Sequence, residues 1–128
     1  MELPKLSDVT LPEMRRSVIS AIGALADRDY QKRVWVDRIF PKEGYYDDFA
    51  MNLHILFDDT LVLEDPASQV GTILKCHDEV TVMEALATSI NTLLAHEGEE
   101  KEDAEYMSSP LWESVVNSAI FAHRLMTR

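Results

Sequence analysis

The chain has 128 residues, of which 46% are hydrophobic, and a formal net charge of −11. Such a length suits a single domain, residues 1–128, that buries a core without staples, and the hydrophobic content excludes wholesale disorder. One cysteine, Cys76, excludes an intramolecular disulfide and gives no sign of an oxidising compartment. Up to Lys42 eight Lys and Arg face six acids, whereas from Glu43 onward four face seventeen. An acidic field of that kind repels nucleic-acid phosphates, so no direct nucleic-acid binding is expected. It attracts a cation or a basic protein surface, with plain solubility as the alternative. No run approaches the roughly 20 apolar residues of a membrane span, and MELPKLSDV has no signal-peptide core. The expectation is a cytoplasmic protein without a membrane partner.

Residues 1–9 read as an N-terminal arm. Thr10-Leu11-Pro12-Glu13 predicts a helix start, with Thr10 as cap, Pro12 in the first turn and Glu13 closing a capping box. Leu11, Met14, Val18, Ile22 and Leu25 step by 3, 4, 4 and 3 along one helical face, widened by Ile19 and Ala26. Asp27 ends this helix or caps the next. The pattern from Arg28 to Ile39 is mixed, and predicts a second helix over roughly Asp29 to Ile39 with Lys32, Arg33 and Arg38 on its polar side. Phe40-Pro41 is expected to stop it, because proline pushes its predecessor out of the helical region.

Phe40 to Asp65 concentrates most of the unusual residues. Asp47 reads as the cap of a third helix, with Asp48 in its first turn, where a negative charge meets the positive end of the dipole. Phe49, Leu53, Leu56 and Phe57, with Met51 and Ile55, make that helix a core element. Leu61-Val62-Leu63 is too short to assign to a strand. Asp65-Pro66 predicts a short helix through Gln69 or Val70, with Gly71 as an irregularity. From Asp78, Val80, Met83, Leu86, Ala87, Ile90, Leu93 and Leu94 keep helical spacing up to a C-terminal cap at Gly98. EGEEKEDAE, from Glu97 to Glu105, carries six acids and one lysine and reads as a solvated loop, taken as 97–108. Ser109-Pro110 opens a last helix with Leu111, Trp112, Val115, Val116, Ala119, Ala122, His123 and Met126 on its buried stripe. The sum is an all-α bundle of five or six helices around one core.

Several residue sets bear on chemistry. His54 and Asp58 lie four apart on one helix face, near Asp59, Asp47 and Asp48. Imidazole plus carboxylates suits several divalent ions, so a metal-dependent hydrolase using His54, Asp58 and Asp59 is one reading. The plainer one is a capped helix with a locally hydrogen-bonded histidine, since the spacing matches neither His-Glu-x-x-His nor the di-iron pairs. Asp58 and Asp59 fall at the helix end where the dipole disfavours acids, so either they have left the helix and open a turn, or a cation from Arg33, Arg38 or a partner offsets the cost. Cys76-His77-Asp78-Glu79 has the residue types of a nucleophile and base, but sequence neighbours on a helix do not face each other, and a lone cysteine is usually a small core residue. His96 and His123 lie near helix C-termini, where a partial positive charge serves structure alone. Tyr45 and Tyr46 beside acids have the composition of a binding hot spot, or pack on the core with their hydroxyls outward. No glycine-rich phosphate loop or G-x-S-x-G is present, and no cofactor is expected.

From Trp35 to His77, FPKEGYYDDF followed by HILFDD and VLEDP resembles a set of small acidic bacterial proteins. Some of these resemble immunity proteins of contact-dependent growth inhibition and related polymorphic-toxin systems. The resemblance implies a cytoplasmic, non-enzymatic protein that neutralises a cognate, nucleic-acid-directed toxin by covering its basic cleft. On that reading Tyr45, Tyr46, Asp47, Asp48, Asp58 and Asp59 are the contact candidates, with Glu99, Glu100, Glu102 and Asp103 as a second set. A small self-associating helical protein, a homo-oligomer whose acidic face only keeps it soluble, is the third reading.

Overall fold

The computed structural model describes residues 9–128, so all of the expected N-terminal arm except Val9 lies outside the described residues. The architecture is all-α: α1 (Pro12–Leu25), α2 (Arg28–Tyr30), α3 (Phe49–Leu53), α4 (His77–Glu97), α5 (Asp103–Met107) and α6 (Trp112–Thr127). Two of these continue into wider π-helical turns, α2 through Gln31–Val36 and α3 through His54–Asp59. A 3₁₀ turn, Pro66–Gln69, stands where the short helix was expected. No strand forms among the described residues, and Val70 and Leu74 make only an isolated bridge.

α6 packs along both α4 and α1, and α3 closes the remaining side of α1. One cluster of buried residues draws on five of the helices and, at α2, on Val34 and Trp35 of its π-helical turn, with Val18, Ile22, Leu56, Met83, Leu86, Ile90 and Trp112 among its members. Trp112 is fully buried and meets Phe49 edge-on, with ring centroids 5.1 Å apart, and Trp35 at 6.2 Å. Its indole N–H donates to Gln31 Oε1 at 3.0 Å. The Gln31 amide in turn donates to the carbonyls of Ala24 (2.8 Å) and Leu25 (3.0 Å), in the last turn of α1 where carbonyls lack regular helical partners. One buried glutamine thereby joins α1, α2 and α6, and every donor it presents is used.

A second polar knot fixes α1 against α4. Arg15 and Glu79 are 7% and 3% exposed and form a bidentate pair, both contacts 2.8 Å. Arg15 also donates to the carbonyls of Ile73 and Met126, while Glu79 accepts from the Lys75 N–H at 2.7 Å. Burial on its own would raise the Glu79 pKa, but the Arg15 and Lys75 hydrogen bonds hold it below the usual carboxylate value.

Several sequence expectations about helix ends are corrected. Thr10 does not cap α1: Leu11 takes that place, and Glu13 pairs with Arg16 on the surface instead of closing a box. The Thr10 and Leu11 N–H groups are committed to the carbonyls of Gly71 and Thr72, which ties the start of α1 to the loop before α4. Asp27 does cap α2, accepting from the Tyr30 N–H at 3.0 Å. α2 ends at Val36 rather than Ile39, because Arg38 adopts a left-handed conformation (φ 59°) and the Ile39 N–H closes back onto the Arg33 carbonyl. The mixed apolar pattern of this segment is what a widened turn produces, since it buries neighbours Val34 and Trp35 together. Leu61 is likewise left-handed (φ 58°) just after the second π-helical turn, and aims Val62 and Leu63 into the core. Asp65 makes no side-chain cap. α6 starts at Trp112, three residues after Ser109, whose hydroxyl accepts from the Leu111 N–H and donates to Glu97. The acidic stretch is not all loop: Glu102 and Glu105 form a reciprocal capping box that starts α5.

Candidate functional site

α3 is positioned by two carboxylates that sequence places far apart. Asp48 is extended (φ −155°, ψ 178°) and accepts from the Met51 N–H at 2.8 Å, so it, not Asp47, is the cap. Asp103 of α5 accepts from the Phe49 N–H at 3.2 Å. Burial raises the Asp103 carboxyl above the usual value, against the Phe49 hydrogen bond, and the Asp48 charge adds to the rise.

Asp47 turns inward. One oxygen accepts from the Tyr30 hydroxyl (2.8 Å) and the Trp35 indole (2.9 Å), the other from the Asn52 amide (3.0 Å). Tyr30 spends its proton on Asp47, so the Tyr45 hydroxyl donates to Tyr30. The Tyr30 hydroxyl is pushed well above its ordinary pKa by burial, then by its bonds to Tyr45 and Asp47. This is a saturated structural network. Tyr46 is the outward partner: it is 44% exposed, donates to Asp48 at 2.7 Å and lies beneath the Arg38 guanidinium, 5.6 Å from the ring centroid. Its hydroxyl pKa is raised by the Asp48 hydrogen bond, with Arg38 opposing.

On the other side of α3 a cleft of about 380 Å³ opens between α3 with its π-helical turn, the end of α4, and α5. Leu53, Phe57 and Leu94 supply apolar wall, and Asp58, Glu99 and Asp103 stand at its edge with His54 and Lys101. Lys101 is engaged by Glu97 at 2.8 Å, and the Tyr106 hydroxyl donates to the Gly98 carbonyl at 2.6 Å, which pins the turn carrying Glu99. The acids of two separate sequence stretches therefore share one concave surface.

The remaining candidates scatter. Tyr45, Tyr46 and Asp47 line a different hollow, beside α1, while Asp48, Glu102 and Asp103 border another next to Arg38. Asp59 and Glu100 are exposed and line none of these depressions. Asp58 and Asp59 stay within the π-helical turn, and neither Arg33 nor Arg38 pairs with them among the described residues, so of the options the sequence left open neither the turn nor the internal arginine is realised. His54 and Asp58 do meet, at 2.7 Å, on the open surface. Among the described residues no group of three or more His, Cys, Asp or Glu gathers as a metal site would need. Cys76 is a half-buried free thiol just before α4.

The sequence reading missed Arg15, Gln31 and Glu79, and the contributions of Leu94 and Lys101 to the cleft. A signal existed for Arg15, which falls in register with Val18, Ile22 and Leu25 on the buried face of α1.

Helices stacked around an aromatic centre, with an acid-edged cleft beside α3, define a small all-α domain. The chain belongs to the family described as Domain of unknown function (DUF7945), whose model matches residues 9–128. No curated protein and no solved structure matches it. No helix among the described residues is long and apolar enough to cross a membrane.

Proposed function

We propose that this chain is an immunity-type protein that acts in the cytoplasm, binding a cognate toxin domain with a basic surface and neutralising it. The observation that supports this most directly is the cleft beside α3. It joins Asp58, Glu99 and Asp103 from separate elements, and the lysine nearby is already engaged by Glu97. Apolar wall beneath a carboxylate edge suits an Arg or Lys side chain, whose stem packs while its head is paired. The net charge of −11 speeds encounter with a basic partner, and the resemblance around GYYDDF and HILFDD points to the same class.

The test uses the product of the gene next to this chain's, which on this reading carries the toxin domain. Asp58→Lys with Glu99→Lys should slow association at low salt by about tenfold or more, with the difference shrinking at high salt. Both residues are exposed, so circular dichroism should show the fold intact. An unchanged rate constant removes the cleft from the interface. A neighbouring product that neither binds nor is neutralised overturns the reading.

A further inference from the structure

We propose that the outer face of α6 is a homodimer interface, formed by two copies with their α6 helices antiparallel across a two-fold axis. Phe121 is 69% exposed, more than any other large hydrophobic side chain among the described residues. It stands at the edge of a groove of about 540 Å³ lined by Thr81, Val82 and Ala85 of α4 and Ser114, Asn117 and Ser118 of α6. Among the described residues Glu113 is the one charged residue lining that groove, and none of the lining residues belongs to the acid-edged cleft. For a chain of charge −11, a second copy can approach closely only where charge is sparse, and this face meets that condition.

The charges that flank the face are complementary to themselves under a two-fold. Glu113, Asn117, Phe121 and Arg124 are all exposed and fall on one side of α6, with the acid near its start and the base near its end. Glu113 and Arg124 make no ion pair with any described residue. An antiparallel second α6 places Arg124 of that copy opposite Glu113. The same register lays Phe121 over Asn117 and Ser114 of the copy, where small side chains leave room for the ring. Each contact is made twice, as an isologous interface requires. The two ion pairs lie roughly 16 Å apart along the helix, at either end of the two buried phenyl rings. One helix face with flanking α4 residues is smaller than a standard interface of about 800 Å² per partner, so the dimer is a weak one, in the micromolar range.

Sedimentation equilibrium of the full chain over a wide concentration range tests this. The wild type should move from monomer to dimer mass, and Phe121→Asp should weaken the dimer by about tenfold or more. Glu113→Arg and Arg124→Glu should each weaken it, and the double variant should recover to within about threefold of wild type. Both substitutions oppose the α6 dipole, so recovery in the double variant cannot come from a better helix. Circular dichroism checks the fold of each. A wild type that stays monomeric at every concentration, a dimer indifferent to Phe121→Asp, or a double variant no better than the singles overturns the proposal.

Discussion

Glu79 and Asp58 each face one potential cation, at 2.8 Å and 2.7 Å, yet they occupy opposite environments. The Arg15 and Glu79 side chains are 8% and 4% exposed, and further hydrogen bonds satisfy both groups. The His54 and Asp58 side chains are 72% and 64% exposed and, among the described residues, hold only each other. Contact distance does not separate the two pairs; desolvation does. A buried ion that loses its partner stays in low dielectric uncompensated, whereas an exposed one is taken up by water. Within this acidic chain, then, one set of carboxylates (Glu79, Asp47) holds helices together, and another (Asp58, Glu99) stays exposed at the surface.

Urea unfolding of Glu79→Gln and Asp58→Asn tests that contrast most severely. Glu79→Gln strands the Arg15 charge and should cost about 3–5 kcal/mol, while Asp58→Asn should stay within about 0.5 kcal/mol. Equal effects would break the division. Acidity gives the same comparison a sign. The folded-state pKa of Glu79 lies below its unfolded value, so the unfolded chain takes up its proton first. The stabilisation is fully present above the ordinary glutamate pKa and is lost as pH falls through the lowered one.

Asp47 against Asp48 sharpens the comparison at smaller scale. Asp47→Ala strands the Trp35 indole, the Tyr30 hydroxyl and the Asn52 amide, and should cost about 2–3 kcal/mol. Asp48→Ala removes one helix cap and should cost about 1 kcal/mol. Thermal denaturation of both variants reads the ranking, and a reversed order would return the cap to Asp47.

A small effect is expected at Asp103, where the sign reverses. Its folded-state pKa is raised, chiefly by burial and with Asp48 adding to it, so the ionised form is disfavoured in the fold. Asparagine keeps an acceptor for the Phe49 N–H and removes the repulsion. Asp103→Asn should therefore stabilise by about 0.3 kcal/mol at neutral pH. The gain should begin to shrink as pH falls through the raised pKa and be gone below the ordinary aspartate value, where both states of the wild type are protonated. Unfolding measured across the acid range checks this, and a gain that grows on acidification would contradict it.

Helix content was largely legible because it depends on short-range periodicity. The stripes of α1, α4 and α6 were all readable, and Val18, Ile22, Met83, Leu86, Ile90, Trp112 and Ala119 are buried as expected. Ends were less legible. Asp47 and Asp48 are equally good caps on local grounds, and what decided between them was the group of donors on Tyr30, Trp35 and Asn52 that claimed Asp47. The short α5 was hidden by its charge, since a capping box of two glutamates is hard to see inside a run of six acids. The candidate site was legible only in its residue types: Asp58, Glu99 and Asp103 stood out as acids, with nothing to say that they share a cleft.

The amino-acid sequence by itself determined an all-α chain with its acids concentrated after Glu43, because helical period and net charge are properties of neighbours and sums. Tertiary structure alone decided which charges are buried, which acids converge and which face of α6 is left bare. Those outcomes depend on pairs such as Arg15 with Glu79 and Phe49 with Asp103, separated by 64 and 54 residues. Desolvation and hydrogen-bond competition act only once such distant groups have been brought together.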